Sequence, residues 1–201
     1  MDIKRPSSGN PIQELLASRW SPYSFASRSV SEADLCSLFE AARWAPSSYN
    51  EQPWSFIVAR KENERDFELL LSCLVEGNQV WAKAAPVLAL GVVRLSFIRN
   101  GKPNRAAVHD LGLTAGNLVL EAVARGLFVH QMIGIEQDKA RAIYGIPEDA
   151  EAWTGLAIGY LGSPEALPAP LRERDMTARQ RKPLRDFVFS AKWGEPPPWL
   201  E

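Results

Sequence analysis

Apolar residues recur along this chain with two periods, and the helical one dominates. Leu35, Leu38, Phe39 and Ala42 follow the three- and four-residue steps of an amphipathic helix. Ser31 supplies its N-cap and Asp34 an acid near the positive end of its dipole, and Ala45-Pro46 ends it. Phe67, Leu70, Leu71 and Leu74 repeat the pattern. At the front, Asn10-Pro11-Ile12-Gln13 predicts a helix start, with Asn10 as cap, Pro11 in the first turn and Ile12, Leu15 and Leu16 as the apolar face. The longest stretch, Ala106 to Arg125, carries Val108, Leu111, Leu118 and Val119 together with the small residues Gly112, Ala115 and Gly116. That mixture predicts a helix closely approached by another backbone, stopped by Gly126.

Four shorter apolar runs read as strands: Ser55 to Ala59, the run from Pro86 through Val93, Leu127 to Ile133, and Trp153 to Leu161. A short helix ending at Tyr144 and stopped by Gly145 separates the last two. Gly162 to Pro170 is loop-like, and Phe187-Val188-Phe189 looks extended. No internal repeat or linker divides the chain, so the pattern predicts one α+β sandwich domain over residues 1–201. Its tail, from about residue 190, contains three consecutive prolines. It either lies extended on a neighbouring surface through Trp193 and Trp199, or is a disordered end.

Charge narrows the partners. The formal net charge of −1 provides no global attraction for nucleic acid or an anionic membrane, so any anion site must be local. No run approaches the length of a membrane span, and the start lacks the apolar stretch of a signal peptide. Cys36 and Cys73 each sit within an apolar helical pattern, which predicts two buried free thiols and a reducing, cytoplasmic location. With only His109 and His130 and no paired cysteines, no metal site is expected.

Three segments could carry chemistry. In Arg19-Trp20-Ser21-Pro22-Tyr23, a guanidinium fork and a hydroxyl suit phosphate oxygens, although a surface arginine beside a turn serine is the bland alternative. In Ala45-Pro46-Ser47-Ser48-Tyr49-Asn50-Glu51-Gln52-Pro53-Trp54, two prolines bracket hydroxyl and amide groups able to hydrogen-bond a polar heterocycle. The loop could equally be punctuation between a helix and a strand. Arg179-Gln180-Arg181-Lys182 could bring two more guanidinium groups to the phosphate of Arg19, or be a solvated basic patch.

Together these segments resemble the nitroreductase family of FMN-dependent oxidoreductases from about Ile12 to Phe189. Pro46 to Trp54 looks like the family's P-S-S-x-N-x-Q-P-W loop in full, and Arg19 to Tyr23 is similar to its R-x-S-x-R/K element. Asn117-Leu118 and Gly126-Leu127 sit where the family has an N-L helix leading to G-L. The resemblance implies an intertwined homodimer with a mostly antiparallel central sheet and FMN at the subunit interface. It places Arg19 and Ser21 at the phosphate and ribityl end, joined by Arg179 and Arg181, and counts Trp20 and Tyr23 among the cofactor-binding residues. It brings Pro46, Ser47, Ser48 and Asn50 from the partner to the flavin, and puts the backbone of Ile133 and Gly134 near flavin N5. Tyr23 stands where the family's usual cation lies near the flavin pyrimidine edge, so the reduced flavin would lose electrostatic support at N1.

The implied activity uses NADH or NADPH to reduce small acceptors such as nitroaromatics or quinones by ping-pong hydride transfer. The flavin carries the chemistry, so no catalytic side chain is required. His109, beside Asp110, is the one side chain that could face the open side of the flavin, with helix-capping and interface roles equally open to it; His130 reads as a core or interface histidine. Two other functions remain compatible: a flavin-dependent dehydrogenase or dehalogenase, and a flavin-binding dimer without turnover.

Overall fold

The computed structural model describes residues 4–5 and 9–200. Its elements run α1 (Glu14–Ser18), α2 (Glu32–Arg43), β1 (Trp54–Arg60), α3 (Glu64–Leu71), α4 (Glu76–Ala82), β2 (Val87–Arg94), α5 (Ala107–Ala124), β3 (Phe128–Met132), α6 (Gln137–Tyr144), β4 (Ala150–Gly159) and α7 (Ala169–Met176). The four strands pair antiparallel throughout in the order β1-β2-β4-β3. β2 and β4 are central and read as near-continuous apolar runs because helices cover both their faces. On one face Val87, Ala89, Leu156 and Ile158 pack against Leu38 of α2 and Leu118 and Ala122 of α5. On the other, Leu88, Leu90 and Ala157 meet Phe67 and Leu70 of α3, Trp81 of α4 and Ala140 of α6. The expected α+β sandwich is thus present in one chain.

Local signals set several ends. The Ser31 hydroxyl caps α2 by accepting from Asp34 N–H at 3.0 Å, and Gly126 and Gly145 end α5 and α6 with φ of 70° and 63°, where a side chain would be strained.

Other expectations fail. α1 begins at Glu14 rather than Pro11, and Gln13 occupies the cap position with no side-chain bond. Ile12, Leu15 and Leu16 are 51%, 40% and 46% exposed, so the face expected to enter the core lies outside it. Cys36 is exposed while Cys73 is buried: α2 turns Leu35, Leu38 and Ala42 inward, and a residue one step from Leu35 is rotated about 100° away. α4 and α7 occupy segments without a clean apolar stripe, and a short turn at Leu184–Asp186 stands before Phe187, where extended chain was expected. The tail folds back through Ser190 N–H on Glu195 O (2.9 Å) and a 5.2 Å contact between the Phe189 and Trp193 rings. Trp193 itself is 93% exposed. Among the described residues no helix is long and apolar enough to cross a membrane.

Candidate functional site

At the end of α1 the two termini of the described chain clasp each other. Arg179 donates from Nε and both terminal nitrogens to the carbonyls of Lys4, Arg19 and Ala17. Lys4 Nζ donates to the Arg174 and Thr177 carbonyls at 3.1 and 2.6 Å and stands 4.6 Å over the Trp20 ring, whose edge meets Phe128. Asp175 of α7, 3% exposed, accepts from Tyr23 N–H at 2.9 Å and Ser24 N–H at 3.1 Å. Two charge-assisted bonds from buried amides explain how this carboxylate tolerates burial. The result is a rigid turn that presents Arg19 and Ser21.

Arg19 is half-buried and reaches Ser21 Oγ at 3.3 Å from Nη1. Burial pushes its guanidinium pKa down, and the positive charges of Arg179 and Arg181 push it further. Arg181 is exposed and donates to its neighbour's carbonyl, Gln180 O at 2.7 Å. Among the described residues no ion pair neutralises Arg19 or Arg181. The positive charges of Arg179 and Arg181 thus lie close enough to act on Arg19, in a chain of near-zero net charge.

Tyr23 and His130 lie behind this cradle. The His130 ring stands 4.4 Å from Trp81 and 4.6 Å from Tyr23, and Tyr23 meets Trp81 edge-on at 5.1 Å. His130 Nδ1 is 2.8 Å from the Pro22 carbonyl, which requires Nδ1–H as donor. Burial lowers the His130 pKa, as does Arg19 more weakly, against opposing contributions from the Pro22 bond and Asp175. The ring is therefore neutral near pH 7.

The second cluster is the loop between α2 and β1. Tyr49, Asn50 and Gln52 all have positive φ, at 55°, 55° and 49°. Three non-glycine residues in the left-handed region cost about 1–2 kcal/mol each for ordinary side chains, less for Asn. Local bonds hold the conformation: Gln52 N–H donates to Ser47 Oγ (3.0 Å) and Gln52 Nε2 to Asn50 O (3.1 Å), while Ile98 N–H donates to Glu51 Oε1 at 2.6 Å. From α5, Asp110 accepts from Ser48 N–H at 3.0 Å. Its other oxygen is 3.2 Å from Nδ1 of His109, whose side chain is 71% exposed. Pro46 and Asn50 are exposed, Ser47 and Ser48 half-buried.

Ile133, just past β3, is 80% exposed. The Gly134 carbonyl accepts from Val75 N–H and Asn78 Nδ2, both at 3.1 Å. A Cβ on Gly134 would meet Asn78 Nδ2 at 2.6 Å and Val75 Cγ2 at 2.7 Å, so this close approach requires glycine.

The structure thus gathers Arg19, Trp20, Ser21, Tyr23, Arg179 and Arg181 in one cluster and Pro46, Ser47, Ser48, Asn50 and His109 in another. Sequence reasoning did not find Lys4, Asp175 or the bond from Asp110 to Ser48. The residues Asp175 joins lie 151 and 152 positions away, a separation that leaves no local spacing signal.

Three comparisons place this geometry among known proteins. The nitroreductase family profile matches residues 16–160. A Streptomyces coelicolor protein provisionally named an NADH dehydrogenase/NAD(P)H nitroreductase is 30% identical over 166 residues, covering 73% of this chain and 80% of the relative. A 15.4 kDa Mycolicibacterium smegmatis protein of uncharacterised function is 31% identical over 148 residues, covering 70% of this chain and 98% of its own. Among solved structures, an oxidoreductase described as containing FMN superposes with a TM-score of 0.88 at 35% identity, over 93% of this chain and 95% of its own. A nitroreductase family protein of Streptococcus pneumoniae shares the fold at TM-score 0.69 and 21% identity, over 88% and 98%.

Proposed function

The chain belongs to the nitroreductase family, and from that premise we propose that it is an FMN-dependent oxidoreductase. It takes hydride from NADH or NADPH and reduces small acceptors such as nitroaromatics or quinones in a ping-pong cycle. The observation that carries this reading is the approach of Arg19 and Arg181 beside the Ser21 hydroxyl, with no ion pair to either among the described residues. A phosphate monoester fits it, because its charge relieves the mutual repulsion and its oxygens match guanidinium donors. Bound FMN supplies the hydride chemistry at its ring system.

Arg19, Ser21 and Arg181 hold the phosphate, and Arg179, already engaged with three carbonyls, keeps the Arg19 turn in place. Trp20 and Tyr23 support the turn that presents Arg19 and Ser21, Trp20 packing on Phe128 and Tyr23 on Trp81 and His130. Pro46, Ser47, Ser48 and Asn50 reach the flavin ring from a second copy of the chain, and the Ile133–Gly134 backbone borders its N5 side. The second copy packs on the outer face of α5. There Gly112 and Leu113 are exposed and Gly116 and Leu120 half-buried, and a Cβ at either glycine would meet nothing within 4 Å. Together with exposed Ile12, Leu15 and Leu16, this is an apolar surface suited to burial in a homodimer. The chain's own residues bind and orient; His109 is the candidate proton donor at the open face.

The test is an absorption spectrum of the purified protein, followed by anaerobic addition of NADH or NADPH. The expected result is the oxidised-flavin band, its bleaching by nicotinamide, and its return on adding a quinone or nitroaromatic. Colourless protein that takes up no FMN in titration overturns the proposal. A flavin band that neither nucleotide bleaches selects a flavin-binding dimer without turnover instead.

A further inference from the structure

α5 carries three polar side chains on one stripe, at i, i+4 and i+7, and all three point to the loop or to the helix end that leads into it. Asn117 Nδ2 donates to Ala41 O at 3.2 Å, Thr114 Oγ1 donates to Ala42 O at 2.5 Å, and Asp110 Oδ2 accepts from Ser48 N–H at 3.0 Å. Asp110 and Thr114 are 2% and 0% exposed. The stripe ties down two carbonyls in the last turn of α2, then the first amide of the turn after Ser47. Immediately beyond that anchor come the left-handed residues Tyr49, Asn50 and Gln52. A chain free to relax would leave that conformation, because side chains disfavour it. The long helix therefore fastens the entrance to the strained segment, while the Ser47 hydroxyl closes its exit on Gln52 N–H.

We propose that Asp110 is a positioning residue for cofactor binding: from α5 it holds the Ser47–Gln52 loop in its left-handed form before any ligand arrives, so that Asn50 and its neighbours are preorganised toward the flavin ring. The inference rests on the FMN reading above for its ligand and on the geometry alone for its loop. An ion at this position suits the task. A carboxylate accepts from a backbone N–H more strongly than a neutral group does, and burial removes competing water. Preorganisation matters because a loop ordered only on binding would subtract its ordering entropy from the affinity.

The experiment combines amide exchange with flavin titration on the full-length protein. In wild-type apoprotein, the peptide covering residues 46–54 should already exchange slowly before FMN is added, as expected of a loop whose Ser48 and Gln52 amides are tied to Asp110 and Ser47. Asp110→Ala should weaken binding of both FMN and phosphate-free riboflavin by the same factor of about ten or more, the worth of a hydrogen bond to a charged group, and should speed exchange in 46–54. Asp110→Asn keeps an acceptor oxygen for Ser48 N–H and should restore most of both. A merely structural role would lower thermal stability without separating Ala from Asn or matching riboflavin to FMN. Fast exchange in 46–54 of the wild-type apoprotein overturns the proposal, and this arm does not depend on the variants folding. Unchanged flavin affinity in Asp110→Ala also overturns it. Failure of the wild type to bind FMN instead removes the functional reading, and the exchange measurements still decide whether Asp110 holds the loop.

Discussion

At one end of the candidate site, Arg179 reaches backbone carbonyls 160 and 162 positions away, and Asp175 reaches amides nearly as distant. At the other, Ser47 bonds Gln52 five residues on, and the ties from Asp110 to Ser48 and from Ile98 to Glu51 span 62 and 47 positions. The arginine cradle is an electrostatic device: its groups repel one another, and the clasp of the two termini keeps them together in spite of it. The loop is a conformational device, held in a backbone shape its residues disfavour. On the proposed reading, the phosphate meets the first and the flavin ring the second. Changes in the cradle should therefore respond to phosphate charge and salt, and changes in the loop should not.

The largest effect should come from breaking the clasp. Asp175→Ala leaves the amides of Tyr23 and Ser24 without their acceptor, at a cost of about 1–3 kcal/mol for each such buried group. The melting temperature should fall by several degrees and FMN affinity with it, while exchange in the loop stays at the wild-type rate. A variant that melts like the wild type would show that the turn holds itself.

Arg19→Ala should then separate the two devices at the ligand. FMN binding weakens by about 1.5–3 kcal/mol, as for loss of a hydrogen bond to a charged group, and riboflavin binding, which lacks the phosphate, is unchanged. Equal losses for both flavins in fluorescence titration would mean that Arg19 serves the ring and not the phosphate.

His130 sharpens the comparison through pH. Its folded pKa lies below the usual 6.5 because burial disfavours the charged ring. The unfolded chain therefore binds the proton first as pH falls, so stability is complete above 6.5 and declines through the window between 6.5 and the lower folded value. The slope contributed by one such group cannot exceed about 1.4 kcal/mol per pH unit. His130→Gln should remove that decline from a series of melts at different pH. An identical slope in both proteins would assign the decline to other groups.

The smallest effect belongs to the loop. Tyr49 is 77% exposed at φ 55°, so Tyr49→Gly relieves left-handed strain while adding freedom to the unfolded chain. Contributions of about 1–2 and 0.4–1 kcal/mol oppose each other, leaving a small net gain in stability. Chemical denaturation should show the variant slightly more stable. A clear loss would mean that the contact of Tyr49 with Phe97 and the Arg99 guanidinium, 4.3 Å over its ring, outweighs the strain.

Much of this was legible in the amino acids themselves. The three-and-four-residue steps of Leu35, Leu38 and Ala42, the unbroken apolar runs from Val87 and toward Gly159, and the glycines at 126 and 145 determine α2, the two central strands and two helix ends, because burial of a repeating face and relief at positive φ are local demands. The Pro46–Trp54 loop announced itself by its density of hydroxyl and amide groups between prolines. α4 and α7 did not, since short helices with mixed faces have no period to read, and α1 was legible but starts at Glu14 with its apolar face exposed. Asp110 shows the divide within one residue. Its neighbour His109 drew attention as chemistry, while the aspartate's bond to Ser48, 62 positions away, existed only once α5 had packed against α2. Sequence alone thus determined the periodic helices, the four strands and the polar loop. Only the tertiary structure decided which charges would be buried together, because the free energy of a buried ion depends on partners that the chain brings near it from elsewhere.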